Sequence, residues 1–447
     1  MKVAVFGAGY VGLVQAAVLA DVGNEVLCIE ADPRRVEQLA RGEVPLDEPG
    51  LERLVRAALQ EGRLGFAASA GRGLEGLDVI FIAVGTPSLP GGSPDTRQVE
   101  AVADEIGACL RSPTVIAIKS TVPVGTAAAV RARISHHLAA RGLAALSPEV
   151  VSNPEFLREG SAVADCARPD RIVIGAARAE PVEVLRRLYA PFNRNHEKIV
   201  VMDEASAELT KYAANGLLAT KVSFMNEMAA LADAYGADIE KVRHGVGADP
   251  RIGYDFLYAG PGFGGSCLPK DVRAALALAR DAGVEAGILG AVDRRNTLQK
   301  QLVFDRIHAH FGGRLEGRVV AIWGLAYKPG TADMREAPAL SLIDALLEAG
   351  ATIRAHDPRA MAECRRRYPD QPRLILCATK EEAVHGSDAL AVVTEWKVYK
   401  APDFAFLARQ VSGCVVFDAR NLFDAQEAAL HGLTIIGIGR NAPRGRK

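Results

Sequence analysis

Residues 2–12 read K-V-A-V-F-G-A-G-Y-V-G. A short, mostly apolar run enters a glycine-rich turn, and an apolar segment without proline follows to about Asp21. A second run, E-V-L-C-I-E at 25–30, ends in an acid. A lone G-x-G-x-x-G says little. Set between a strand and a helix, with Glu30 eighteen residues beyond Gly12, it predicts a dinucleotide-binding fold. Gly7 makes the tight turn, Gly9 lets the backbone approach a pyrophosphate, and Gly12 lets helix pack on strand. Tyr10 and Val11 stand where the helix begins, and its amino end binds the anion. Glu30 can accept from ribose hydroxyls and repels a 2′-phosphate, which predicts NAD over NADP. Arg35 nearby is the counter-signal, since an arginine can accommodate that phosphate.

The pattern continues outward. L-D-V-I-F-I-A-V at 77–84, T-V-I-A-I-K-S-T at 114–121, R-I-V-I-G at 171–175 and K-I-V-V-M at 198–202 read as buried strands. Ligands gather at the carboxyl ends of such strands, where Thr86 and Thr121 fall. Each threonine can equally be closing a turn before proline. V-V-S-N-P-E-F-L-R-E-G at 150–160 is a strand running into a turn. Its Glu155 and Glu159 are either site acids or two solvated acids on a first helical turn.

From Ser206 to about Tyr235 the period is helical and proline is absent. Asp203, Glu204 and Glu208 stand at the start and Gly236 at the stop. Such a helix spans about 45 Å, enough to join two domains. Lys211 and Asn215 lie one turn apart on a mostly apolar face. A substrate carbonyl oxygen suits both donors, and a structural pair at a domain seam is the alternative. Helices are expected at 270–282 and 289–311. Two loops, 247–253 and 256–260, surround P-G-F-G-G-S-C-L-P-K-D at 261–271. Glycines there let a small molecule come close to Cys267. Lys270, three residues on, can favour its thiolate.

The second half echoes the first. R-V-V-A-I-W-G-L-A-Y-K at 318–328 opens as the amino terminus does, and S-D-A-L-A-V-V-T at 387–394 parallels 77–84. It lacks the full glycine pattern, so a second dinucleotide is not expected. Lys328, Arg335 and Arg420 can instead hold a phosphorylated or nucleotide substrate.

The chain has 447 residues, too many for one core. The fold class is α/β: two Rossmann-like domains joined by a long central helix. The expected division is 1–205 (dinucleotide domain), 206–312 (helical linker and dimerisation) and 313–447 (substrate-nucleotide domain). A net charge of −1 excludes a general nucleic-acid binder. Seven scattered cysteines with no C-x-x-C pair predict a reducing cytoplasm, no disulfide framework and no metal. No run approaches the ~20 apolar residues of a membrane span. The last residues, 440–447, read as a frayed basic tail.

A dinucleotide site plus an activated thiol implies a particular chemistry. An alcohol oxidised once becomes an aldehyde. A second hydride leaves only after a nucleophile adds to the aldehyde carbon. A thiolate gives a thiohemiacetal, then a thioester that water cleaves to an acid. The reading is a four-electron oxidation of a primary alcohol with two NAD. Lys211 and Asn215 would stabilise the oxyanion, and a nearby carboxylate would move a proton or orient water. A two-electron hydroxy-acid dehydrogenase or a dinucleotide sensor would need no such thiol.

G-A-G-Y-V-G-L, N-P-E-F-L-R-E-G, K-Y-A-A-N-G-L-L-A-T-K, the 261–271 stretch, W-G-L-A-Y-K-P-G-T-A-D-M-R-E-A-P and V-T-E-W together resemble the UDP-glucose/GDP-mannose dehydrogenase family over nearly the whole chain. The resemblance implies NAD as cofactor and oxidation of UDP-glucose at C6 to UDP-glucuronate for polysaccharide biosynthesis. GDP-mannose or UDP-N-acetylmannosamine is the alternative substrate. It implies a homodimer built on the long helix. It makes Cys267 the nucleophile and Lys211 and Asn215 the oxyanion partners. Asp271, Glu155 and Thr121 would position water or protons. Glu30, Arg35, Thr86, Thr121, Glu159, Lys270 and Arg335 would contact NAD. Glu155, Phe156, Leu157, Lys211, Asn215, Phe256, Leu257, Tyr258, Gly260, Gly264, Lys328 and Arg420 would hold the sugar nucleotide. Arg251 would reach a neighbouring subunit's substrate. Glu30 stands where the family usually has Asp, Arg35 where it has Lys, and Gly216 where it has a small apolar residue that would keep the helix firmer beside Asn215.

Overall fold

The computed structural model describes residues 1–440, apart from the side chains at 72 and 73. Beyond Arg440, the expected basic tail lies outside the described residues. The chain divides into two compact units, Met1–Ala214 and Asn215–Lys447.

The first unit is built on eight strands: β1 (Lys2–Phe6), β2 (Glu25–Ile29), β3 (Leu64–Ala67), β4 (Val79–Ile82), β5 (Val115–Ile118), β6 (Glu149–Ser152), β7 (Ile172–Gly175) and β8 (Ile199–Met202). Their order is β3-β2-β1-β4-β5-β6-β7-β8. Every pairing is parallel except β6 with β7, which meet antiparallel at Ser152 and Gly175. The strands are near-continuous apolar runs because both faces are covered. Val3, Val5, Val79 and Phe81 fall in one core. Their alternates Ala4, Phe6, Ile80 and Ile82 fall in another on the opposite face.

The long helix runs Glu204–Tyr235, about 48 Å at 1.5 Å per residue. Gly236 ends it in the left-handed region at φ 72°. At Gly216 a Cβ would sit 3.1 Å from a Leu289 methyl. The glycine is therefore a point of close packing against the helix Gly287–His310.

The second unit carries β9 (Val319–Trp323), β10 (Thr352–His356), β11 (Leu374–Leu376), β12 (Ala389–Val392), β13 (Val415–Asp418) and β14 (Thr434–Gly437), in the order β11-β10-β9-β12-β13-β14 and parallel throughout. The echo in sequence is thus an echo in topology. The turn after β9 differs from the one after β1. Gly324 (φ 98°) packs against Thr394 as Gly7 packs on Ala83. Then irregular chain, not a helix, runs to the helix Pro338–Glu348. The amides of Leu325 and Ala326 are already bound by Asp357 Oδ2, at 2.7 and 3.1 Å. No helix begins there, and these two amides are not open to a pyrophosphate.

Candidate active site

In the first unit the glycine turn is fixed by sterics. Gly7 has φ 99°, and a Cβ there would lie 2.7 Å from the Ala83 carbonyl. A Cβ at Gly12 would collide with the Gly7 carbonyl oxygen. At Gly9 a Cβ would meet nothing within 4 Å, so this side is open. Gly9 is also the N-cap of the helix Tyr10–Asp21 and supplies no side-chain cap. A helix amino end without a side-chain cap fits a dinucleotide pyrophosphate. Glu30 braces the turn: Oε2 accepts from Ala8 N at 3.0 Å and Oε1 from Asp32 N at 3.1 Å. Carboxylate oxygens each have further acceptor capacity for a ribose. Arg35 and Val11 are half-buried, and the Tyr10 hydroxyl donates to Asp47 O at 2.8 Å. Thr86 Oγ1 donates to Thr121 O at 2.8 Å, tying the chain after β4 to the chain after β5.

Past β6 the chain is irregular from 153 to 161, so Glu155 and Glu159 sit on a loop and not on a helical turn. Lys211 reaches this loop. Its Nζ donates to Glu155 Oε1 at 2.9 Å and to Glu155 O at 2.8 Å, and both residues are buried. Burial alone would push the Glu155 carboxyl up. The Lys211 ammonium and the Leu157 amide outweigh it and hold the group below its ordinary 4.5. The Phe156 ring lies 5.4 Å from Lys211 Nζ and 3.6 Å from the Arg171 guanidinium carbon. Leu157 and Glu159 are half-buried.

Glu208 is a residue that sequence reasoning placed only as a helix-start acid. It is buried and accepts from Gly125 N (2.6 Å), Ala127 N (2.9 Å) and Ser152 Oγ (3.1 Å). It therefore caps the helix Thr126–Ala140 from a distance and pins the loop that follows Thr121.

In the second unit the glycine loop is held by its backbone. Asn226 Oδ1 accepts from Gly260 N at 2.8 Å, and Gln299 Nε2 donates to Gly260 O at 2.7 Å. Asn296 takes both groups of Phe263, N at 2.8 Å and O at 3.0 Å. All three amides are buried. A Cβ at Gly264 would strike the Glu336 carbonyl, and one at Gly265 would lie 2.7 Å from the Tyr327 ring. The loop delivers half-buried Cys267 to the N-cap of the helix Leu268–Asp281. A helix amino end favours thiolate. The Cys267 sulfur also lies 3.6 Å from Ser266 Oγ. Elsewhere, burial pushes the Cys28 thiol up to about 12 and the Cys364 and half-buried Cys166 thiols up to about 11.

One turn along that helix, Asp271 is almost wholly buried. Its Oδ2 accepts from Asn215 Nδ2 at 2.6 Å and its Oδ1 from Lys270 Nζ at 2.6 Å. The Lys270 ammonium is thus committed to Asp271. Gly265 N donates to Arg335 O at 2.8 Å, while the Arg335 side chain pairs with Asp333 at 2.7 Å. Arg420 lies against Gly260 and donates to Val393 O at 2.7 Å, with Glu395 at 3.0 Å. Lys328 Nζ lies 5.5 Å from the Tyr327 ring. Phe256 adopts φ 62° and Leu257 is buried. Tyr258 is 61% exposed, and Arg251 points outward beside Asp249.

Among the described residues no group of His, Cys, Asp and Glu could hold a metal ion. Three family models match: the NAD binding domain of the UDP-glucose/GDP-mannose dehydrogenase family over residues 1–193, its central domain over 205–298 and its UDP binding domain over 321–425. The chain is 51% identical over 443 residues to a UDP-glucose 6-dehydrogenase of Pseudomonas aeruginosa, covering 98% of each. It is 40% identical over 444 residues to that of Rhizobium meliloti, covering 98% of this chain and 100% of the other. A solved UDP-glucose dehydrogenase from Pyrobaculum islandicum has TM-score 0.87 at 38% identity, covering 95% of each chain.

Proposed function

This chain belongs to the UDP-glucose/GDP-mannose dehydrogenase family, and we propose that it oxidises the C6 alcohol of UDP-glucose to the uronate with two NAD. NAD, bound in the open turn after β1, supplies the hydride acceptor. The balance is UDP-glucose, two NAD⁺ and one water to UDP-glucuronate, two NADH and three protons. Cys267 adds through sulfur to the C6 aldehyde, which makes the thiohemiacetal. Loss of the second hydride leaves a thioester on Cys267, and water releases the acid.

The chain's other groups have distinct tasks in this reading. Lys211 and Asn215 donate to the C6 oxyanion. Asp271 occupies one N–H of Asn215 and orients the amide so that the other can reach substrate. Glu155, Asp271 and Thr121 orient water and move protons. Glu30, Arg35, Thr86, Glu159, Lys270 and Arg335 contact the cofactor. Phe156, Leu157, the 256–260 loop, Gly264, Lys328 and Arg420 hold the sugar nucleotide, and Arg251 serves a second subunit. The working division is 1–205, 206–312 and 313–447. The middle part makes a homodimer: Leu217, Phe224 and Leu231, spaced by seven on the long helix, are 64%, 52% and 48% exposed. The product feeds polysaccharide biosynthesis in the cytoplasm. Seven free thiols and the lack, among the described residues, of any helix long and apolar enough to cross a membrane fit that location.

The observation that carries this reading is the place of Cys267: end of a glycine loop, start of a helix, one turn from the Asp271–Asn215 pair. The test is the NADH yield. Two NADH per UDP-glucose are expected, with GDP-mannose and UDP-N-acetylmannosamine turned over far more slowly. Cys267→Ala should lower uronate formation on the order of a thousandfold while NAD binding persists. One NADH per sugar, or an active Cys267→Ala, would overturn the thiol route.

A further inference from the structure

The first unit contains a recess whose wall shares Glu155, Phe156 and Leu157 with the site above but whose remaining lining the reaction does not use. It lies under the loop bearing Phe156, between the helices Tyr10–Asp21 and Ala162–Ala167, with about 120 Å³ of free space. A single water needs only about 15 Å³. The recess is lined by Gln15, Lys119, Phe156, Cys166, Arg168 and Arg171.

Its donors outnumber its acceptors. Gln15 is 2% exposed, and its Oε1 faces the Cys166 thiol at 3.8 Å. Its Nε2 is buried with no partner among the described residues, which costs free energy unless something fills the space. Lys119 is buried too. Its Nζ donates to Asn153 Oδ1 at 3.0 Å and to the Tyr189 hydroxyl at 3.2 Å, and no acceptor among the described residues takes its third proton. At the mouth, Arg168 and Arg171 make no ion pair among the described residues. The Arg171 guanidinium instead stacks on Phe156 at 3.6 Å.

The local acids do not cancel this charge. Asp165 is taken by Arg158 at 2.6 Å and by Ser161. Glu155 is taken by Lys211. Only Asp170 is left, and its field reaches Arg171 without a hydrogen bond. Burial draws Lys119 down to about 8 and pulls Arg171 down as well. An anion beside them would relieve both.

The geometry points to a binding site for a small tetrahedral oxyanion, held by the Arg171 and Arg168 guanidinium groups, the Gln15 amide and the Lys119 ammonium. Inorganic phosphate and the terminal phosphate of a small phosphorylated metabolite share the required chemistry. The site is separate from the glycine turn and does not depend on the reaction proposed above.

Calorimetry on the full-length protein tests it without turnover. Inorganic phosphate is titrated in the presence of saturating NADH and UDP-glucuronate, which occupy the nucleotide sites. One phosphate per chain is expected to bind. Arg171→Ala and Gln15→Leu should each weaken it about tenfold. Arg171 is at the surface, so its variant keeps the test decisive if Gln15→Leu folds poorly. Glycerol 3-phosphate, titrated in the same way, separates the sources: binding supports a phosphate ester, and failure beside bound inorganic phosphate supports the free ion. No saturable binding, binding abolished by the two nucleotides, or binding indifferent to both variants would mean that the recess holds water only.

Discussion

At the scale of single residues, the Glu155–Lys211 pair shows how a costly arrangement is made tolerable. Removing two charges from water costs several kcal/mol per ion, on the order that close pairing must offset. Here Lys211 donates to both the carboxylate and the carbonyl of Glu155, and Leu157 N donates to the second oxygen. The result is a carboxyl group held below 4.5 despite burial. A depressed folded pKa gives stability that is present above the unfolded value and lost as pH falls through the folded one. We expect wild-type unfolding free energy to fall as pH drops below about 4.5, and the Glu155→Gln variant to fall less steeply. Urea melts across pH 3 to 6, a range of about three units around the carboxylate pKa, measure this. Parallel curves would show that the group is not charged in the folded state.

At the scale of elements, Glu208 joins three pieces of chain. It caps one helix, binds the end of β6 through Ser152, and stands three residues before Lys211. Replacing it with alanine strands the buried Ala127 amide and the part-buried Gly125 amide. The expected loss is about 2–3 kcal/mol, read as a lower urea midpoint, with Glu208→Gln losing less because its carbonyl still accepts. An unchanged midpoint for Glu208→Ala would show that the clamp bears no load. This contact was not legible in the sequence. An acid near a helix start suggests the local dipole, and nothing local names amides 81 and 83 residues away. The same holds for Asn226, Asn296 and Gln299, which grip the glycine loop across 33 to 39 residues. The strands, the long helix and the glycine turn were legible because each is written in short-range period or spacing. The helices Pro33–Ala40 and Leu51–Gln60 and the strands β3, β11, β13 and β14 were not read. Several are short and half-buried, so their pattern is weak. The antiparallel meeting of β6 and β7 was likewise invisible, since strand direction is set by the path of the connection.

At the scale of the molecule, two sheets share one order over six strands but end their first strands differently. After β1 a helix begins at once, and Glu30 braces only one amide of the turn. After β9 an aspartate closes the turn on itself. The same topology thus presents a cradle in one half and a sealed corner in the other. Assembly is the second property at this scale. Apolar residues exposed every seven positions along the long helix fit the homodimer proposed above. Wild type should sediment as a dimer, and Phe224→Asp should shift it to monomer at micromolar concentration. A variant that still sediments as a dimer would place the interface elsewhere.

Lys211 and Asn215 hang from one uninterrupted spiral, four positions apart. Each added residue rotates everything beyond it by about 100°. A single codon gained between them would turn one donor about 140° away from the other, toward the far side of the cylinder. Evolution can therefore lengthen the surface loops of this protein freely, but across this short span it can exchange letters and not add one.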